Sequence, residues 1–234
     1  MIQNRYFRRI FRVAAAVFLL ALISSLRPAY ALDYTGERIT YEVSLMGSAE
    51  YNDMGIVEFE GKKARLVIFR TRVIGLDDLE KIYCDPATLL PLRVERDISF
   101  PFNKEYLVEV YDHKAFSLVI KKYVDNKEVK EYLFNAEGPI YNAILLPFYL
   151  RTIPKLELGW SFQSRFPEVF KISLVSIDDI EVPAGKFKAY HFTSQPNKFE
   201  IWISQDQDRI PIKIKETTGL GYTMVLKNRV FNKK

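Results

Sequence analysis

The side chains of this 234-residue chain that could do chemistry are two histidines, one cysteine and two runs of acids. His113 and His191 stand 78 positions apart, and neither belongs to the close pair of ligands that zinc sites show. His113 falls in an expected turn. His191, within Ala189-Tyr190-His191-Phe192, falls in an expected strand, so both read as surface or satisfied core groups. Cys84 shares a strand face with Ile82 and reads as a small buried residue, because a reactive thiol needs exposure and a positive neighbourhood, and Asp85 is next to it. A single cysteine builds no disulfide framework. Asp77-Asp78 with Glu80, and Asp178-Asp179 with Glu181, supply the paired carboxyls that glycoside hydrolysis uses. Both runs lie between apolar stretches and read as solvated turns, without the spaced oxygen ligands of a calcium loop. No Gly-x-Ser-x-Gly elbow occurs, and Gly219-Leu220-Gly221 lacks the third glycine and following helix of a phosphate loop. The sequence offers no catalytic residue, metal site or cofactor motif, and it reads as a binding protein rather than an enzyme.

The elements that must position these groups are strands. Ile39, Tyr41, Val43 and Leu45 alternate with Arg38, Thr40, Glu42 and Ser44. Runs at 65–70, 107–111, 116–120, 129–134, 199–203, 210–215 and 222–230 repeat the pattern, separated by turn residues such as Asp112-His113-Lys114. Period-two runs at this spacing predict an antiparallel meander of roughly ten or more strands. One segment departs from it: Pro139 stands at a first helical position, a dense apolar run follows, and Pro147 should kink or end the helix before Ile153. A helix apolar all round must be buried, by core packing on the sheet or as a lid over a cavity. Tyr141, Leu145 and Phe148 from this segment, with Trp160, Phe162 and Trp202, are the candidate ligand-lining residues. Lys213 and Lys215 share a strand face, read as a solvated edge guarded by lysines, or else as a docking strip for phosphate-bearing lipids or glycans.

Residues 1–31 have the order of an export signal. Arg5, Arg8, Arg9 and Arg12 precede an apolar and small-residue run from Val13 to Leu26, and Ala29-Tyr30-Ala31 has small residues where signal peptidase reads. The run is short for a membrane span, so cleavage after Ala31 predicts a periplasmic protein with no stable span. Arg8-Arg9 partly fits the twin-arginine route, but Phe7 stands where a polar residue is expected, which favours the general secretory route. Five of the 34 basic residues precede Ala31 and no acid does, leaving 29 of each sign in the remaining chain. The apparent basicity therefore gives no support to a nucleic-acid partner.

Several ordered segments resemble one family. Gly36-Glu37-Arg38-Ile39-Thr40-Tyr41 opens the expected mature domain, and Asp85-Pro86-Ala87-Thr88-Leu89-Leu90-Pro91-Leu92-Arg93 follows. Then come Leu150-Arg151-Thr152-Ile153-Pro154, Val182-Pro183-Ala184-Gly185, Ile201-Trp202-Ile203-Ser204 and Arg209-Ile210-Pro211-Ile212-Lys213. Together they resemble the bacterial domain-of-unknown-function family numbered 3108, over nearly all of the chain after residue 31. That family implies no activity and no site residue. Asp85-Pro86 reads as a turn, Gly185 as a conformation other residues avoid, and Trp202 as a core anchor.

The expectation is a signal peptide, 1–31, and one all-β domain, 32–234: a strongly curved, mainly antiparallel sheet, open barrel or sandwich, with one short kinked helical segment packed on it. That outline is similar to outer-membrane lipoprotein carriers, an analogy of fold only. The expected role is binding a lipid or an envelope glycan. A scaffold that pairs an envelope protein partner through strand edges is the alternative, and a hydrolase would need acids gathered in a deep polar cleft.

Overall fold

The computed structural model describes residues 34–44, 46–125, 127–218 and 221–231. The expected export signal, Leu45, Gly219, Leu220, Lys233 and Lys234 lie outside the described residues. Alternation becomes strands: β1 (Glu37–Val43), β2 (Gly47–Phe59), β3 (Lys62–Val73), β4 (Leu76–Cys84), β5 (Pro91–Phe100), β6 (Asn103–Asp112) and β7 (Ser117–Val124). The rest are β8 (Lys127–Asn135), β9 (Ser161–Arg165), β10 (Val169–Val182), β11 (Gly185–Gln195), β12 (Phe199–Ser204), β13 (Pro211–Glu216) and β14 (Thr223–Phe231). In β1, Glu37, Ile39, Tyr41 and Val43 are buried while Arg38 and Glu42 face water, as a half-buried strand requires.

All fourteen strands join one antiparallel sheet in which sequence neighbours pair, except that β1 pairs with β14 and β8 does not pair with β9. The sheet is therefore open, with β8 and β9 as its edges. It is also strongly curved: residues of β8, β10 and β14, far apart in strand order, line the same cavity. Register shifts at Thr40/Tyr41, Asp53/Gly55, Leu174/Ser176 and Trp202/Ile203 are bulges of the kind that bend sheets. The lysine-bearing strand β13 lies between β12 and β14 and is not an edge, contrary to the expectation from its lysines. The Asp85-Pro86 turn forms as expected, with Asp85 Oδ1 accepting the Ala87 and Thr88 N–H groups at 3.0 and 2.8 Å. Gly185, at φ +130°, occupies the conformation that favours glycine.

The helix is shorter than expected. α1 (Leu146–Arg151) begins after Pro139–Leu145 has run as loop and turns, and Pro147 lies in its first turn rather than ending it. The missing N–H of proline costs nothing there, because first-turn donors have no helical acceptor. Asn142 prepares the start: its Oδ1 accepts the Ile144 and Leu145 N–H groups at 2.9 and 3.1 Å. α1 sits inside the curve, which explains why it is apolar all round. Leu145 and Phe148 join a core with Tyr41, Tyr51 and Ile82, and Leu146 and Leu150 join another with Phe170, Ile172, Phe192 and Ile201. Phe148 stacks on Tyr51 with ring centroids 3.6 Å apart. Among the described residues, no helix is long and apolar enough to cross a membrane.

Candidate ligand cavity

Side chains of the concave face leave two adjoining spaces beside the start of α1. The larger, about 860 Å³, is mainly apolar. Its floor follows the ladder Ile201–Ile214–Met224 across β12, β13 and β14, and Phe69, Phe134, Phe148, Phe170 and Phe199 close around it. The smaller, about 610 Å³, is apolar at Val43, Leu118, Ile120 and Ile140 but polar along β4, β5 and β6. Phe69, Ala143, Ile144, Phe166, Pro167, Glu216 and Tyr222 line both lobes.

The polar wall is a register effect. Glu80 on β4 pairs with Arg96 on β5, and Asp78 lies two residues back on the same face. Glu109 on β6 pairs with Val94 on one side and Ile120 on the other, which turns its carboxyl inward as well. Arg96 Nε donates to Asp78 Oδ1 and Oδ2 at 2.9 and 3.0 Å, and Nη2 donates to Oδ2 as well. Glu80 lies 3.6 Å from Arg96 Nε, beyond hydrogen-bond distance. Tyr111 donates its hydroxyl to Glu109. Burial pushes the Glu80 carboxyl up to about 7, with Asp78 and Glu109 adding to the rise against the pull of Arg96. Burial also raises Glu109, although Tyr111 and Arg96 oppose it.

The cavity reaches solvent at one end of the sheet, and also along edge strand β8, where its lining residues Leu133 and Asn135 are exposed. Phe166, Pro167 and Glu168 lie in the β9–β10 turn, Lys198 in the β11–β12 turn, and Thr218 and Tyr222 between β13 and β14; all line it and all fall at that end. At the opposite end the chain is tied down. Arg151 bonds to Glu37 and to the Asp208 carbonyl, and Arg209 donates to the Ile153 and Pro154 carbonyls.

Of the six candidate lining residues, Tyr141 lines the polar lobe and Phe148 the apolar lobe. Leu145 is buried in the core beside them. Trp160 and Phe162 belong to an aromatic cluster with Tyr149 and Phe192 and do not line either lobe. Trp202 is on the other face of the sheet, in phase with His191 and opposite Ile201 and Ile203. It stacks on His191 at 4.2 Å and donates its indole N–H to Asp178 at 2.9 Å.

The two acid runs are not turns. Asp77, Asp78 and Glu80 belong to β4, and Asp178, Asp179 and Glu181 to β10. Asp78 and Glu80 are buried in the polar lobe because they continue the inward phase of Ile82 and Cys84. Asp178 instead joins Ser176, His191, Glu200 and Lys215 in a satisfied outer-face network, where His191 Nε2 meets Glu200 at 2.9 Å. His113 sits in a turn against the Pro91 carbonyl. Cys84 is fully buried, and burial raises its thiol to about 12, away from the thiolate form that nucleophilic cysteines need.

No curated protein matches this chain. Among solved structures it is similar to a crystal structure described as a β-barrel-like protein of domain of unknown function DUF1849 from Brucella abortus. The TM-score is 0.50 at 6% identity, over 86% of this chain and 99% of that one, a likeness of fold alone. Residues 30–227 match the family described as "Protein of unknown function (DUF3108)", a span that starts before β1 and ends within β14. Every element that builds the cavity falls in that span or crosses its end, and the chain belongs to the DUF3108 family.

Proposed function

We propose that this protein is an exported, periplasmic, non-catalytic carrier or receptor for an amphiphile. The observation that carries the reading is the pair of adjoining lobes: about 860 Å³ of mainly apolar space beside a polar lobe of about 610 Å³. Ligand pockets fall in this size range and combine an apolar lining with a few fixed polar groups. A glycan alone would leave the apolar lobe without a partner, which favours a lipid. The rim supports the same reading. Met46, Ile74 and Phe102 project into solvent from the turns after β1, β3 and β5, at the same end as the β9–β10, β11–β12 and β13–β14 turns that line the cavity. Apolar tips beside a mouth suit contact with an apolar donor phase. The export signal of residues 1–31 supports the location, and it predicts that the protein recovered from the periplasm begins at Leu32.

The test is native mass spectrometry of gently purified protein, then titration with envelope lipid extract. Bound lipid, or a mass shift on titration, supports the proposal. Apo protein with no shift overturns it. A hydrolase is the second reading, favoured by the same polar lobe, since a carboxyl held near neutrality is placed to act as a general acid. Arg96 weighs against it, because it ties Asp78 and stands beside Glu80. Product release from envelope lipids or glycans that disappears in Glu80→Gln would favour it instead. A protein partner would pair with the exposed edge β8, but charged side chains recur along that strand and discourage pairing.

A further inference from the structure

We propose that the polar lobe receives a cationic, amine-bearing head group; this rests on the amphiphile reading and assigns the chemistry of the ligand's polar end. The lobe is lined by four acids, Asp78, Glu80, Glu109 and Glu216, against one basic side chain, Arg96. That guanidinium is engaged by Asp78 through both carboxylate oxygens. An anionic head would therefore enter a lobe of net negative charge whose one cation is already paired. Glu80 points the other way. It lines the lobe at 9% exposure, makes no hydrogen bond among the described residues, and has Arg96 only at 3.6 Å. A buried carboxylate without hydrogen bonds is costly, and an ammonium donating to it removes that cost. Glu109 already accepts from Tyr111, which leaves Glu80 as the acceptor closest to unmet need. The apolar lobe adjoins this wall through Phe69 and Tyr222, so an alkyl chain and its head can occupy both lobes together.

The groups that face Glu80 fix the pH behaviour: Arg96 from β5, Asp78 from its own strand, Glu109 and Tyr111 from β6, and Tyr222 before β14. Burial raises Glu80 to about 7, so the carboxylate that receives the amine is present above neutrality and lost below it.

The experiment compares dodecylamine, dodecyl phosphate and dodecyl maltoside, each below its micelle concentration, by calorimetric titration of the mature chain at about pH 8, where an alkyl amine is protonated. The amine is expected to bind roughly tenfold or more tighter than the phosphate, as a charge-assisted hydrogen bond implies. Its advantage should fall as pH drops through 7 and should vanish in Glu80→Gln. Equal or tighter binding of the phosphate or the maltoside, or an unchanged preference in Glu80→Gln, overturns the assignment of the head group while leaving the cavity reading intact. Binding of none of the three overturns the cavity reading and the assignment with it.

Discussion

Arg151, the last residue of α1, and Glu37, the first residue of β1, form an ion pair with neither side chain exposed to solvent. Nη1 donates to Oε2 at 2.7 Å and Nη2 to Oε1 at 3.0 Å. Arg229 Nε reaches Glu37 Oε1 at 2.6 Å, and the Tyr34 ring lies 3.5 Å from the Arg151 guanidinium. This knot fixes the helix inside the sheet at the end opposite the β9–β10, β11–β12 and β13–β14 turns. The helix N-terminus, with Pro147 and Phe148, is then left to shape the apolar lobe.

The first prediction concerns that knot. Removing Arg151 leaves Glu37 Oε2 without its partner in low dielectric, with Arg229 still on Oε1, so Arg151→Met should cost at most about 3–5 kcal/mol. Glu37→Gln should also destabilise, and the double variant should lose less than the sum of the two, because the groups interact directly. Urea midpoints at unchanged m-value measure this; additive losses would show that the pair is not coupled.

Much of the sheet is legible in the sequence because each strand with one wet face must alternate, and Ile39, Tyr41 and Val43 do so without interruption. The polar lobe is harder to read. Asp77, Asp78 and Glu80 carry the composition of a turn, and composition hides their phase. The readable signal lies downstream: Ile82 and Cys84 face inward, and period two carried back from them puts Glu80 and Asp78 on the same face. The same rule separates Trp202 from the cavity, since its neighbours Ile201 and Ile203 face inward and it cannot. The meeting of β4 to β6 with β12 to β14 around one cavity comes from curvature, which no local pattern encodes.

Glu80 gives a stability prediction with a definite sign. Its folded value, about 7, lies above its ordinary 4.5, so the folded state holds the proton more tightly than the unfolded chain. Its contribution is most favourable below about 4.5, is lost as pH rises towards 7, and is level above that. Glu80→Gln should therefore stabilise the protein at about pH 8, by at most about 3 kcal/mol on that shift, and the gain should shrink towards zero near pH 4.5. Denaturant titrations of both proteins across that range give the answer. A gain independent of pH would place its cause elsewhere.

The rim gives a kinetic prediction. Met46, Ile74 and Phe102 are among the most exposed apolar residues, so replacing all three with serine removes no core contact, and stability should hold within about 0.5 kcal/mol. Transfer of a fluorescent lipid from vesicles should slow by roughly tenfold or more, since burying each apolar tip in a membrane contributes about 1.5–3 kcal/mol. Binding of a monomeric alkyl probe from solution should be unchanged. Unaltered transfer would mean that the tips take no part in loading.

Ala143 provides the most direct test that the cavity is where ligand goes. It follows the buried Asn142, lines both lobes, and is exposed rather than packed in the core. A tryptophan at this position adds its bulk to the space between the lobes, where it need not displace a core side chain. Overpacking penalties of about 1–3 kcal/mol belong to filled interiors. Ala143→Trp should accordingly keep the unfolding midpoint near that of the parent while weakening alkyl-probe binding by roughly tenfold or more. Leu158→Trp is the control, because Leu158 is exposed and lines neither lobe; it should change neither property. Full affinity in Ala143→Trp, in a protein of parental stability, would place the ligand outside this cavity. The polar lobe would then be a buried acid cluster held by Arg96, and Glu80 would lose its role as the receiving group.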